Sequence, residues 1–259
     1  MIRMKPSNIM QFLLVLVMLV AAILAPRLVA PGWDWIVVIA VMLVFLATLG
    51  SWIAARPAGI LIDERNLMSL SRFQLVLWTV LLLSAYWTMA LRRIFNNVAD
   101  PLAIAIAPEL WTLLGISTAS FVGSPLLLSR KQEKKPIDLD KVVAPAASKF
   151  KEAPDEIKKN CVGTLYTNAT VADAEFTDLF EGEELGNTTS VDVSRVQMFL
   201  FTIIAGLSYA VLLWKQMRGV PAAQLNALPD VTDGLVALLG ISHAGYLASK
   251  GVDHTPVQR

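Results

Sequence analysis

Residues 71–79 read SRFQLVLWT, and residues 194–202 read SRVQMFLFT. A second pair of stretches follows in the same order, because residues 113–117 read LLGIS and recur as residues 238–242. The alternative is chance similarity between apolar segments, but the polar Ser, Arg, Gln and Thr recur together with the apolar residues. We therefore interpret the middle and the end of the chain as copies of one internal repeat.

The repeated stretches belong to a set of apolar runs that carry no Asp, Glu, Lys or Arg. A membrane-spanning helix needs about 20 mostly apolar residues. Five runs have this length, and the last is shorter. We predict an all-α integral membrane protein with six transmembrane helices, built as an N-terminal helical hairpin and two parallel helix-pair repeats. The runs cover residues 7–26, 35–55, 73–91, 110–129, 196–214 and 234–249.

The composition agrees with a membrane location. Of the 259 residues, 55% are hydrophobic and 17% are charged, whereas soluble domains average about 25% charged residues. This composition argues against a soluble globular protein, and it excludes a chain that is disordered throughout. A net charge of +1 argues against a nucleic-acid binder. The single cysteine, Cys161, excludes an intramolecular disulfide.

The domain boundaries follow from the apolar runs and the polar segments between them. Most of the 22 basic residues fall in loops on one predicted side. The positive-inside rule then predicts that both termini and the long loop are cytoplasmic. The predicted units are a hairpin at 1–55, a first repeat at 56–129, a small loop domain at 130–193, a second repeat at 194–250 and a tail at 251–259.

The start of each repeat predicts a capped helix at the membrane interface. A serine followed three residues later by glutamine is the pattern of a capping box. The arginine after each serine is expected to extend to the interface as an anchor, or to bind an anionic lipid head group. The residues are Ser71, Arg72, Gln74, Ser194, Arg195 and Gln197.

Small residues recur every four positions in the second helix of each repeat. Such stripes let helix backbones approach closely in lipid. We predict that they form a helix-packing seam, either across a pseudo-twofold axis or between subunits of a homo-oligomer. The residues are Gly115, Ala119, Gly123, Gly240, Ala244 and Ala248.

Two further patterns suggest alternative functions. Ser117 and His243 would form a dyad of an intramembrane serine hydrolase if their helices brought them together. The hydroxyls of Ser117, Thr118, Ser120 and Ser124 would be a polar lining for an oligomeric pore. Polar packing between helices is the simpler interpretation of both patterns. We predict no catalytic, cofactor-binding or metal-binding residues.

The loop at 130–193 is the main polar segment. Its first half is rich in lysine, and residues 160–193 carry acidic residues and no basic ones. Within this acidic half, a segment that contains both acidic and large apolar side chains is a candidate partner-docking element. It would equally fold back on the chain, contact a neighbouring subunit, or cover the cytoplasmic helix ends. The residues are Phe176, Leu179, Phe180, Glu181, Glu183 and Glu184.

Three stretches carry a resemblance to a known group of proteins. Residues 71–74, residues 108–117 and residues 191–197 resemble uncharacterised bacterial multi-pass inner-membrane proteins. The similarity extends over about residues 60–250. It implies a bacterial inner-membrane location and transfers no functional residue.

These observations favour a non-enzymatic multi-pass membrane anchor or scaffold whose charged cytoplasmic loop docks a protein partner. The alternative is an oligomeric pore or small-solute channel, and an intramembrane serine hydrolase is a remote alternative. The expected partners are membrane lipids and a cytoplasmic protein or neighbouring subunit, in a monomer or a homo-oligomer, with no nucleic acid.

Overall fold

A computed structural model describes residues 6–258, with side chains from residue 9 onward. The described chain is helical, which confirms the all-α prediction. Short 3-10 turns occupy Pro57–Leu61, Val171–Asp173, Phe176–Leu179 and Ala222–Gln224. The helices are α1 (Pro6–Leu28), α2 (Trp33–Ala54), α3 (Leu70–Phe95), α4 (Pro108–Gln132), α5 (Leu139–Phe150), α6 (Pro154–Asn160), α7 (Val193–Gly219) and α8 (Asp233–Gly251).

Five helices, α1, α2, α3, α4 and α7, are long and apolar enough to cross a membrane by length and composition. The sequence predicted six. Helix α8 forms where the sixth span was expected and has 19 residues, but it is not among the five. Several glycines and His243 lie along α8, and they lower its mean hydropathy.

Four helices form the centre of the molecule. Helix α3 packs against α4 and α7, and α8 packs against the same two helices, so the contacts close a ring. Helix α2 packs on α3, and α1 packs on both. The core holds Trp35, Trp78, Met89, Tyr209 and Leu213. The indole nitrogen of Trp35 donates a 2.9 Å hydrogen bond to a serine hydroxyl of α3, so this large polar group is satisfied.

The bundle has two ends, which we call the loop end and the turn end. The loop end carries residues 56–69, 133–192 and 252–258, and the turn end carries residues 96–107 and 220–232. Helices α3 and α7 begin at the loop end, and α4 and α8 finish there. At the turn end the two connections pair through a β-bridge between Ala105 and Ala227.

The outer surface of the bundle is apolar. On α7, the exposed residues Leu200, Ile204, Leu207 and Val211 recur every three or four positions, so they share one face of the helix. Large apolar patches of this kind are rare on soluble monomers. A lipid-facing surface accounts for them, as the sequence predicts for a membrane protein.

The loop between α4 and α7 folds into a small domain. Helices α5 and α6 pack around Val143, Ile157, Tyr166 and Leu185, and Phe150 stacks on Tyr166 with ring centroids 4.5 Å apart. A second apolar cluster joins this loop domain to the ends of α3, α7 and α8; its members include Leu70, Leu179, Met198 and Tyr246. The loop therefore lies against the helix ends.

Candidate functional site

A buried charged cluster at the loop end joins the loop domain to the bundle. One carboxylate oxygen, Oε1 of Glu183, lies 2.7 Å from Nη2 of Arg65 and 2.5 Å from Nη2 of Arg195. Nζ of Lys250 lies 2.9 Å from the same oxygen. Arg195 belongs to the first turn of α7, and Lys250 belongs to the last turn of α8. A single loop carboxylate thus connects two helix ends and the turn before α3.

Local structure positions the two arginines of this cluster. Asp63 accepts hydrogen bonds from the backbone and the guanidinium of Arg65, which fixes Arg65 within a tight turn. Asp192 is the N-cap of α7 and accepts hydrogen bonds from the first amides of the helix. Arg195 also donates a 2.9 Å hydrogen bond to the carbonyl of Asp178. Both arginines therefore have further contacts that position them beside Glu183.

The lysine of the cluster is held by two hydroxyl groups. Nζ of Lys250 donates to the hydroxyl of Ser124 on α4. It also donates a 2.7 Å hydrogen bond to the hydroxyl of Tyr246, one turn earlier on α8. With Glu183, these contacts satisfy the three donors of the ammonium group.

Electrostatics keep Glu183 ionised. Burial raises the pKa of its carboxyl group, but the attraction of Arg195, Lys250 and Arg65 outweighs burial and holds the pKa well below its ordinary value. The pKa of Arg65 is raised, because its attraction to Glu183 and Asp63 outweighs the cost of burial. The carboxylate of Glu183 and the guanidinium of Arg65 therefore keep their charges at neutral pH.

Glu184, the next residue, fixes α4 and the C-terminal segment. Its carboxylate accepts hydrogen bonds from Nζ of Lys131 and from the backbone amides of His254 and Thr255. Lys131 also donates to the carbonyl of Val252. Two consecutive glutamates of the loop thus bind the ends of α4, α7 and α8 together with the tail.

A cavity of about 490 Å³ lies beside this cluster, between the start of α3 and the last turns of α4. Nη1 of Arg65 is buried and has no hydrogen-bond partner among the described residues. The cavity thus combines two cations with hydroxyls and an apolar wall. Its lining includes Arg65, Arg72, Asp63, Glu64, Ser69, Ser71, Ser124, Ser129, Phe121, Val122, Leu126 and Leu128.

The structure places the helix caps two residues earlier than the predicted capping boxes. The N-caps are Ser69 for α3 and Asp192 for α7. Ser71 and Ser194 are therefore already helical and do not act as caps. The Asp192 carboxylate takes the capping role because it precedes Ser194 and accepts from two backbone amides.

The remaining residues of that predicted set have different environments in the two copies. Gln74 is buried and its amide donates to the hydroxyl of Thr202 on α7, whereas Gln197 is exposed. Arg195 is buried against Glu183, whereas Arg72 is half-buried and lines the cavity. At these positions the two copies share a sequence pattern but differ in their surroundings.

The predicted docking residues are divided between the interior and the surface. Leu179 is buried, and Glu183 and Glu184 pair with the cations described above. Glu181 pairs with Lys149 at 2.7 Å. Phe180 is half-buried, and Phe176 is 58% exposed. The acidic loop thus folds back onto its own chain and leaves Phe176 at the surface.

The small-residue stripes lie mainly on the outside. Gly115, Ala119, Ala244 and Ala248 are exposed. A methyl group added at Gly115 would meet no atom within 4 Å. Gly123 and Gly240 are half-buried in the α4–α8 interface, where an added methyl group would lie 3.6 Å from the side chain of Leu247 or Ile116, respectively.

His243 pairs with Ser120 instead of Ser117. The Ser120 hydroxyl and Nδ1 of His243 are 2.7 Å apart in the α4–α8 interface. Ser117, Ser120 and Ser124 are all buried, and Thr118 is exposed. The pair does not line the 490 Å³ cavity, so the contact acts as polar packing between two helices.

The sequence did not reveal a buried ion pair at the turn end. Asp34, at the start of α2, accepts hydrogen bonds from Nε and Nη2 of Arg92 in the last turn of α3. Nη1 of Arg92 donates to the carbonyl of Met217 on α7. Asp34 lies just before the second apolar run, where the sequence gives it the appearance of a loop residue. Only the structure shows that its side chain is fully buried.

Comparison of this chain with protein-family models, with curated proteins and with solved structures finds no match. The functional inference therefore rests on the geometry of the described residues.

Proposed function

We propose that the protein is a non-enzymatic multi-pass membrane anchor whose loop domain is a fixed platform for docking a partner protein. The observation that carries this proposal is the attachment of the loop by Glu183 and Glu184 to three helix ends. A flexible tether would need no buried ion pairs, which are costly to form. A platform whose surface is already ordered loses less conformational entropy when it binds.

The docking surface that we propose is the exposed edge around Phe176. Its ring packs edge-on against Phe180 and Phe199, so it is held in place while more than half of it remains exposed. Asp173 and Glu175 are exposed next to it in the chain. A rigid aromatic side chain beside carboxylates suits a basic partner segment that carries an apolar anchor.

We further propose that the loop end is cytoplasmic in a bacterial inner membrane. The loops assigned to this end are rich in Lys and Arg, which favours the cytoplasmic side. The C-terminal segment lies at the same end, because the backbone of Gln258 donates to the carbonyl of Lys135.

Site-specific photo-crosslinking in cells tests the docking surface. A benzophenone amino acid would replace Phe176, and the control would carry it at Val162, which is 45% exposed on the same loop domain. We expect one dominant protein adduct from position 176. Reversing charge with Glu175→Lys should lower its yield if the partner segment is basic. Lipid adducts alone at 176, or equal protein adducts from both positions, would contradict the proposal.

A further inference from the structure

We propose that the 490 Å³ cavity between α3 and α4 binds the head group of an amine-containing phospholipid. The phosphate would contact Arg65 and Arg72, and the ammonium group would contact Glu64. This proposal requires a membrane location and does not depend on a docking partner for the loop domain.

The position of the cavity suits a lipid that enters from the bilayer. The cavity lies at the loop end, beside the first turn of α3 and the last three turns of α4. Val122 and Leu126 line it and are also exposed on the outer face of α4, at 51% and 63%. The polar part of the cavity thus continues into the apolar surface. A head group within the cavity would place its acyl chains along that surface.

The chemistry of Arg65 favours an anionic oxygen in this cavity. The side chain is buried, and Nη2 is already shared between Asp63 and Glu183. Nη1 has no partner among the described residues. Because Nη1 is itself buried, a small shift of the side chain towards the cavity would bring a phosphate oxygen within reach, and the resulting charge-assisted hydrogen bond would satisfy a donor that is unfavourable to leave unpaired.

The second repeat contains a smaller cavity that corresponds to this one, and an anionic group already lies beside its arginine. The matching stretches of the two repeats are 123 positions apart at the start of the first helix and 125 positions apart in the second helix. Shifted by these offsets, half of the residues that line the cavity fall on residues that line the small cavity around Glu183. There the carboxylate of Glu183 contacts the arginine directly. The same arginine position in the first repeat, Arg72, faces the larger cavity. The corresponding pairs are Arg72 with Arg195, Phe121 with Tyr246 and Ser124 with Ser249.

The carboxylates of the lining determine which head group fits. Asp63 is occupied by Arg65 and by the backbone of its turn. Glu64 is exposed at the cavity. It would repel a second negative charge and attract a primary ammonium group. Two cations and one available carboxylate therefore match phosphoethanolamine better than phosphoglycerol, which carries no positive charge.

Native mass spectrometry of the full-length protein tests this site. The protein would be released from micelles that contain equal amounts of phosphatidylethanolamine, phosphatidylglycerol and phosphatidylcholine. We expect preferential retention of phosphatidylethanolamine. Arg72→Ala should weaken retention about tenfold, a factor that corresponds to the loss of one charge-assisted contact. The control is Arg130→Ala, because Arg130 is exposed in the last turn of α4 and does not line the cavity.

A second variant and soluble competitors distinguish a phospholipid site from a general anion site. Glu64→Gln should abolish the preference over phosphatidylglycerol while total retention persists, and as an exposed substitution it should leave folding intact. Glycerophosphoethanolamine should displace the lipid, and inorganic phosphate at equal concentration should not. Equal losses in Arg72→Ala and Arg130→Ala would overturn the site. Displacement by inorganic phosphate, or retention of phosphatidylglycerol above phosphatidylethanolamine, would overturn the lipid assignment.

Discussion

The two ends of the bundle hold buried charges in different ways. At the turn end, Asp34 and Arg92 form a one-to-one pair, and the remaining donor of Arg92 is satisfied by a backbone carbonyl. At the loop end, three cations converge on Glu183, and one donor of Arg65 has no partner among the described residues. The closed pair joins helices, whereas the open cluster borders a cavity and leaves one arginine nitrogen unpaired among the described residues.

The largest effect is expected from Glu183→Gln. The substitution leaves three buried cations without their shared counter-charge, and breaking a buried ion pair costs about 3–5 kcal/mol. Thermal and denaturant unfolding in micelles would measure the loss. The control is Glu181→Gln, because Glu181 is less buried and pairs with one lysine. Equal stability of the two variants would show that the cluster does not attach the loop.

At the turn end, Asp34→Asn should cost about 3 kcal/mol, since Arg92 then lacks its counter-charge. The double variant Asp34→Leu/Arg92→Met should recover most of that stability, because an isolated buried pair is replaceable by apolar side chains. Unfolding of the single and double variants under one set of conditions provides the measurement. A double variant that is less stable than Asp34→Asn would contradict this prediction, because apolar side chains would then not be able to replace the ion pair.

The corresponding arginines of the two repeats provide a smaller contrast. Arg195→Gln should destabilise the protein by about 1–3 kcal/mol, because it removes charged hydrogen bonds to Glu183 and Asp178 from a buried site. Arg72→Gln should change stability by less than about 0.5 kcal/mol, as is usual for residues outside buried networks. Unfolding of lipid-free protein measures both. Similar losses would contradict the different environments of the two arginines.

The smallest effect concerns pH. Because the folded-state pKa of Glu183 lies well below its ordinary value, the carboxylate contributes stability above the unfolded pKa of about 4.3. That contribution is lost as the pH falls from there towards the folded pKa. Unfolding of the wild type and Glu183→Gln between pH 7 and pH 3 should show a smaller difference at the acidic end. A difference that grows with acidity would contradict this assignment.

The sequence predicted the long helices well because their signal is local. The run at 196–214 lies within α7, and the run at 110–129 lies within α4. The length and mean hydropathy of each run are sufficient to identify such helices. The sixth run formed a helix, α8, whose own composition does not distinguish it as a membrane span.

The charged cluster was not predictable in the same way. Glu183 lies far along the chain from Arg65 and Lys250, and their contact depends on how the loop folds back over the helix ends. Arg65 appeared only as one of several basic loop residues, and Lys250 marked the end of an apolar run. The sequence indicated that the acidic loop binds something and left its partner open, because the basic residues that pair with it come from five separate segments.

The central claim is that the loop domain is fixed to the helix ends. Electron paramagnetic resonance would measure the distance between spin labels at Glu156→Cys on α6 and Arg130→Cys on α4, both exposed positions. Cys161 would be replaced by serine, and the protein would be held in lipid bilayers. We predict one narrow distance distribution, which broadens when Glu183 and Glu184 are both replaced by Gln. A broad distribution in the otherwise unmodified protein, unchanged by these two substitutions, would contradict the claim.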